Sequence, residues 1–317
     1  MSRSESLRGA GLLLVLLTAL ISGVSTFVNV YAVKGTSSDA FVTVRNIVVA
    51  AAFLPIAFAA TGYLRAPALR RVDWARLVVI GLIGGAIPFL LFFHGLQLAT
   101  QSGGNLTASF AYRTLFVFAT VFGVVFLAER FRLRVVIAAG LLLGGNALLM
   151  SLTAPVWTDG TLYVLAATVL WAAEYTVSKR ALRDLPSATV VLGRMGFGAV
   201  FLAGYLALTT QWGTVAGFSA TSWAWVGISA ALLSGFVASF YTGLKRVDLG
   251  VAASVLVLGF PVTWLLSLLI QGTAFTPGQA LGVVAIVAGV AFAVGLSLFR
   301  DTGSFLLRLF RPSARSA

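Results

Sequence analysis

Apolar positions along this chain lack the alternation of a half-buried strand or the single stripe of a surface helix. Stretches such as Leu12 to Val33, Val135 to Leu152 and Leu281 to Phe299 are apolar on every face, the pattern of a helix surrounded by lipid or by other apolar helices. Cutting the chain at its polar and basic breaks yields ten stretches of about 20 residues, the length that crosses a bilayer core. They fall at 9 to 33, 40 to 62, 75 to 97, 103 to 127, 134 to 152, 160 to 180, 187 to 209, 222 to 244, 250 to 271 and 278 to 299. The pattern predicts an all-α integral membrane protein with ten transmembrane helices.

Composition narrows the reading further. Hydrophobic residues make up 59% of the chain and charged ones 10%, whereas a soluble domain carries about a quarter charged residues. The net charge of +13 is not that of a nucleic-acid binder, because no basic stripe interleaved with aromatics is present. Arg3, Arg8, Arg65, Arg70, Arg71, Arg76, Arg130, Arg132, Arg134, Arg180, Arg183, Lys245, Arg246 and the tail arginines all fall on one side of the predicted spans. Only Lys34 falls on the other. The positive-inside rule then predicts a multi-pass protein of the cell (inner) membrane with both termini cytoplasmic.

A shift of about 149 residues overlays the chain on itself. Arg45 meets Arg194, Trp74-Ala75 meets Trp223-Ala224, Phe92-Phe93-His94-Gly95-Leu96 meets Phe240-Tyr241-Thr242-Gly243-Leu244, and Ala108-Ser109 meets Ala253-Ser254. Five crossings per copy is an odd number, so the second copy enters the membrane from the opposite side. That is the plan of many secondary transporters. The expected units are a first five-helix repeat at 1–152, a second, inverted one at 153–300, and a cytoplasmic tail at 301–317. In the tail, Phe305 to Phe310 reads either as a surface amphipathic helix or as disorder. The first span follows Arg3 and Arg8 but is too long for a signal-peptide core, so it is expected to be retained. Gly140, Gly144, Gly278, Gly282 and Gly289 suit close helix contacts, within the bundle or across a homodimer, and the two spans carrying them hold almost no chemistry. Pro55, Pro88 and Pro261 interrupt spans and permit kinks.

Charged side chains at membrane depth are costly and mark function unless pairing explains them. Arg45 and Arg194 occupy mirror positions near opposite ends of their spans, shallow enough to snorkel as anchors or gate ties. Arg113 lies about 15 Å deep at 1.5 Å per residue, and Glu174 lies at a comparable level. The two either neutralise one another in a structural ion pair or line a wet cavity, with Arg113 receiving an acidic group and Glu174 a proton. Lys179 adds positive charge toward the cytoplasmic mouth. Asn29, Tyr31, His94, Gln97, Tyr112, Trp171, Tyr175, Tyr241 and Trp264 share the candidate lining helices; the aromatic rings suit a planar or apolar substrate or plain packing. His94 reads as a proton relay or a hydrogen-bonded structural residue.

Enzymatic readings find little support. Cysteine is absent, one histidine with one deep carboxylate is too few ligands for a catalytic metal, and neither a serine elbow nor a Walker loop occurs. No cofactor or metal is expected.

The repeated arginine of the second and seventh spans, and Leu127-Ala128-Glu129-Arg130 closing the fourth span before a glycine-rich fifth, resemble the EamA-type branch of the drug/metabolite transporter superfamily. The resemblance covers nearly the whole chain. It implies an exporter or exchanger of amino acids and related metabolites with a central cavity. Two positions depart from that pattern. Ile270-Gln271-Gly272-Thr273-Ala274 lacks the matching glutamate of the ninth span, which removes a symmetric role for Glu129, and Ser22-Gly23 stands where the first span has a tryptophan. The expectation is a secondary transporter of small amphipathic metabolites working by alternating access with proton or exchange coupling. In it, Arg113, Glu174, Tyr112, Trp171, Tyr175, His94, Asn29 and Tyr241 contact substrate, while Arg45, Arg194, Lys179 and Glu129 gate or brace. The alternative is a non-transporting scaffold or lipid-handling protein.

Overall fold

The computed structural model describes residues 3–32, 36–61, 69–130, 133–152, 154–272, 274 and 276–309. The expectations for Lys34, Arg65, Arg132, Thr273 and the tail from Phe310 onward lie outside the described residues. All regular structure among the described residues is helical: α1 (Arg3–Ala32), α2 (Ser38–Thr61), α3 (Arg71–Ile80), a π-helical turn (Gly81–Ala86), α4 (Ile87–Gln101), α5 (Asn105–Arg113), α6 (Leu115–Leu127) and α7 (Leu133–Leu149). There follow α8 (Asp159–Ala181), α9 (Ser187–Leu208), α10 (Trp212–Ala216), α11 (Ala220–Leu244), α12 (Leu249–Leu256), α13 (Gly259–Gln271) and α14 (Pro277–Leu309).

Among the described residues, 9 helical stretches are long and apolar enough to cross a membrane, and α7 is a further, shorter apolar helix in addition to those 9. Large apolar side chains face outward in a belt, with Leu208 88% and Leu269 71% exposed. In water such a surface would aggregate; in a bilayer it is solvated by acyl chains.

Local chemistry sets the helix ends. The Thr158 hydroxyl accepts the N–H of Thr161 and opens α8, and Ser219 does the same for α11 through Ser222. At the start of α3 the Asp73 carboxylate accepts the Arg70 backbone N–H at 3.2 Å and its side-chain Nε at 2.9 Å. Ala128 and Gly272, both left-handed, end α6 and α13. At Gly295, with φ of 73°, α14 changes direction and then runs on as helix to Leu309.

Packing joins the two copies of the sequence repeat. The strongest pairings are α7 with α14, α1 with α11, α4 with α8, and α2 with α9, each taking one member from either copy. Helix α6 also packs on α12. Under the repeat α1 on α11 corresponds to α4 on α8, and α7 on α14 and α2 on α9 each correspond to themselves, so the copies interleave instead of forming two side-by-side bodies. Glycine makes the closest of these contacts possible. A Cβ on Gly145 would lie 2.8 Å from the Gly282 carbonyl oxygen, and one on Gly282 would lie 2.6 Å from the Leu149 nitrogen. Gly140, Gly144 and Gly278, by contrast, face open space.

Candidate functional site

Two helices are interrupted at equivalent points. The membrane stretch 105–127 breaks at Thr114, between α5 and α6, where the Thr114 hydroxyl donates to the Ala111 carbonyl at 2.6 Å. The stretch 249–271 breaks at Val257 and Leu258, between α12 and α13. There Pro261 has no N–H for the Val257 carbonyl, which instead accepts from Phe260 at 3.1 Å. Leu258 is the repeat counterpart of Arg113, so both breaks fall at one level. Paired interruptions of this kind mark binding sites in transporters built from repeats.

Arg113 sits at the first break. Its guanidinium carbon lies 3.9 Å from the centroid of the Phe260 ring, beside the second break, and its Nη1 donates to Asn146 Oδ1 at 3.2 Å. Asn146 is buried on α7 and held by its own bond to the Leu142 carbonyl at 2.7 Å. Around this cation the rings of Phe92, Tyr112, Trp171 and Phe260 meet edge to face, with Tyr112 5.1 Å from Phe92, 5.5 Å from Trp171 and 6.2 Å from Phe260. One cation on an aromatic floor can orient an acidic group and shelter an apolar body beside it.

A second polar cluster adjoins the first through Trp171. Pro88 supplies no N–H to the Gly84 carbonyl one turn earlier, and the chain passes through the π-helical turn to Ala86 at φ −128° and ψ −77°. The freed Gly84 oxygen accepts from Trp171 Nε1 at 3.2 Å and from Arg194 Nη2 at 3.0 Å. The next carbonyl, Gly85, accepts from Asn46 at 3.2 Å, and Asn46 in turn accepts from Arg45. Arg194 Nε stands 3.5 Å from Glu174 Oε2, without a hydrogen bond at either atom among the described residues. Glu174 is fully buried, and its other oxygen accepts from Tyr241 at 2.7 Å and from Ser178.

Several sequence expectations change here. Glu174 pairs with Arg194 and not with Arg113, because α8 turns its carboxylate toward α9 and the π-helical turn. Arg45 and Arg194 do not snorkel; they are 5% and 3% exposed and reach inward to Asn46 and to a backbone oxygen released by proline. The spans expected to hold almost no chemistry include Asn146, the partner of Arg113. His94 is exposed at the mouth of a cavity, with its ring on Tyr163. Asn29 accepts from Ser229 at 2.9 Å and ties α1 to α11. Tyr175 packs on Phe240 at 4.6 Å. The structure thus gathers Tyr112, Arg113 and Trp171 in one cluster and Glu174, Tyr241 and Arg194 in the next.

Glu129 and Lys179 lie at the arginine-rich end of the bundle. The Glu129 carboxylate accepts the backbone N–H groups of Leu249 and Gly250 at the start of α12. Lys179 Nζ donates to the carbonyls of Leu244, the last residue of α11, and of Val247 in the link to α12. A cavity of about 600 Å³ opens beside them, and another of about 700 Å³ opens at the far end by His94, Gln97 and Asp39. Arg113 lines neither cavity and is half-buried beside the aromatic cluster.

The residues that sequence reasoning missed are Gly84, Asn46, Asn146 and Phe260. Pro88 four positions after Gly84 was the signal for the first, and a lone asparagine in an apolar run was the signal for Asn146.

Comparison with known proteins agrees with the fold. One solved structure, described only as a crystal structure of a protein, shares 20% identity, covers 90% of this chain and 98% of its own, and superposes with a TM-score of 0.71. No curated protein matches the chain. The model of the EamA-like transporter family matches residues 9–151 and again 158–295. With two tandem matches across most of its length, the chain belongs to the EamA-like transporter family, whose members are membrane transporters and not enzymes.

Proposed function

We propose that the protein is a secondary transporter, an exporter or exchanger, that carries small amphipathic metabolites such as amino acids across the inner membrane by alternating access. The observation that carries the reading is the meeting of Arg113 with Phe260 at the paired helix breaks. Arg113 has five guanidinium donors, and one serves Asn146; the others bind a substrate carboxylate. Phe92, Tyr112, Trp171 and Phe260 take up its apolar part after the rings part to admit it. Ten crossings are proposed as two inverted units, 1–152 and 153–300, followed by the tail 301–317. The one-sided arginines support cytoplasmic termini.

Rigid rocking of one sequence half would shear every major helix pairing, because each pairing joins the halves. The proposed motion is therefore local. At the arginine-rich end α6 packs on α12, while beyond the breaks α5 packs on α8 and α13 on α1, and of α13 only Gly259 is buried. Access alternates as α6 and α12 part and the outer segments close. The Glu174–Arg194 pair carries the coupling charge, through a proton or through exchange of one substrate for another.

Proteoliposome counterflow with radiolabelled amino acids tests the proposal. Arg113→Lys is expected to retain a measurable fraction of saturable flux and Arg113→Ala to lose it, with both proteins monodisperse. Equal flux in all three proteins removes Arg113 from the site.

A further inference from the structure

The cavity at the arginine-rich end has a property that orientation in the membrane does not explain. Six cationic side chains line it: Arg8, Arg130, Arg134, Lys179, Arg183 and Arg246. Two carboxylates join them, Glu129 and Asp248, and Glu129 is already engaged by the amides of Leu249 and Gly250. The positive-inside rule places arginines on one side of a bilayer; it does not fold them around a single hollow. Like charges gathered in this way repel and strain the compact state unless a counter-charge is supplied.

Arg134 shows the hollow to be built. Its Nε is buried and has no hydrogen-bond partner among the described residues. Its guanidinium lies against Gly295, where a Cβ would collide with Nη1. Gly295 takes φ of 73°, which a side chain would oppose, so the kink in α14 both leaves room for the guanidinium and turns it along the cavity wall. The cations come from both copies of the repeat: Arg8, Arg130 and Arg134 from the first, Lys179, Arg183 and Arg246 from the second.

We infer that this cavity is a binding site for a multivalent, phosphate-bearing anion, separate from the Arg113 cluster. Arginine predominates among its cations, and the planar guanidinium matches the paired oxygens of a phosphate. The phosphate comes either from an anionic lipid headgroup entering from the bilayer or from a free organic or inorganic phosphate entering from water. In both cases the occupant bridges the two copies at the end where α6 meets α12. The inference does not depend on the transport proposal.

The test uses the full chain in nanodiscs. In one arm, discs of pure phosphatidylcholine are titrated with inorganic pyrophosphate by calorimetry and thermal shift, with chloride matched in ionic strength. In the other, discs doped with phosphatidylglycerol are compared with undoped discs by thermal shift and by native mass spectrometry for retained lipid. Saturable stabilisation in the first arm identifies a free phosphate; stabilisation with retained phosphatidylglycerol in the second alone identifies a headgroup. In either case Arg134→Gln and Arg246→Gln are each expected to weaken binding about tenfold, the loss of one charge-assisted contact, while Arg71→Gln on the same end, outside the cavity, leaves it unchanged. Should Arg134→Gln fail to remain monodisperse, Arg183→Gln at the exposed rim replaces it under the same criterion. Absence of saturable binding in both arms overturns the inference, as does binding that the cavity variants leave intact or that Arg71→Gln weakens equally.

Discussion

Glu129 reaches across the repeat to Leu249: its carboxylate accepts the Leu249 N–H at 2.5 Å, and that of Gly250 at 3.2 Å, so the end of α6 caps the start of α12. The left-handed Ala128 makes this possible by turning the chain at the end of α6. Glu129→Ala removes an N-terminal cap, which costs about 1 kcal/mol, and loosens the contact between α6 and α12. Because the chain has no cysteine, a single Ser254→Cys reports on the change. Ser254 is 4% exposed beside the cavity, and its labelling by a water-soluble maleimide is expected to accelerate in the Glu129→Ala background. An unchanged rate means that this cap does not hold the end shut.

The same carboxylate predicts a pH dependence. Burial raises the Glu129 pKa above the ordinary carboxylate range, against the pull of its two amide donors. The folded state therefore binds a proton more tightly than the unfolded state. Its contribution is fully present below the unfolded carboxylate pKa and is lost as pH rises through the folded value. Glu129→Gln keeps an acceptor but cannot ionise. Thermal melts of the two proteins should diverge across the mildly acidic range, with the wild type losing stability relative to the variant as pH rises; parallel curves contradict the prediction.

Length and apolarity of the spans were legible because a bilayer demands both from each segment separately, and the repeat was legible because Arg45 and Arg194 recur in register. Pairing between helices was not. Glu174 and Arg113 share a depth in sequence, but which faces meet depends on helix rotation, and a 3.6-residue period in a nearly uniform apolar run carries little information about rotation. The acceptor for Arg194 was hidden for a different reason: it is a backbone oxygen at Gly84, exposed by the missing N–H of Pro88, and so it has no side chain to read.

Arg194 and Glu174 supply the sharpest energetic prediction. Both are buried, and removing one partner strands the other, which costs about 3–5 kcal/mol. Arg194→Met alone is expected to lower thermal stability severely. Adding Glu174→Gln should restore a large part of the loss, because the stranded carboxylate is gone and the neutral amide that replaces it still accepts from Tyr241 and Ser178. Additive losses in this double-mutant cycle would show that the two groups do not interact.

Asn146 positions Arg113 and does not itself reach the aromatic cluster. Asn146→Leu removes a hydrogen bond to a charged group worth about 1.5–3 kcal/mol and leaves Arg113 on Phe260 without its second tether. In counterflow the apparent KM should rise about tenfold or more, with a smaller change in maximal flux, and Asn146→Gln should recover part of the affinity. A fall in maximal flux at constant KM would assign Asn146 to packing instead.

Pro88 links the backbone of one helix to the charge of another. In Pro88→Ala a restored N–H can reclaim the Gly84 carbonyl, closing the helix and displacing Trp171 Nε1 and Arg194 Nη2 from their acceptor. The gain from removing a helix-interior proline is about 3 kcal/mol, and the loss of one neutral and one charged hydrogen bond is about 2–4 kcal/mol, so the two nearly cancel in stability. Function does not cancel, because the Arg194 released from Gly84 no longer stands fixed beside Glu174. The variant is expected to melt close to the wild type, to show altered Trp171 fluorescence against a background in which the other tryptophans are replaced by phenylalanine, and to lose most of its saturable flux. Full flux with altered fluorescence would separate the Gly84 acceptor from transport.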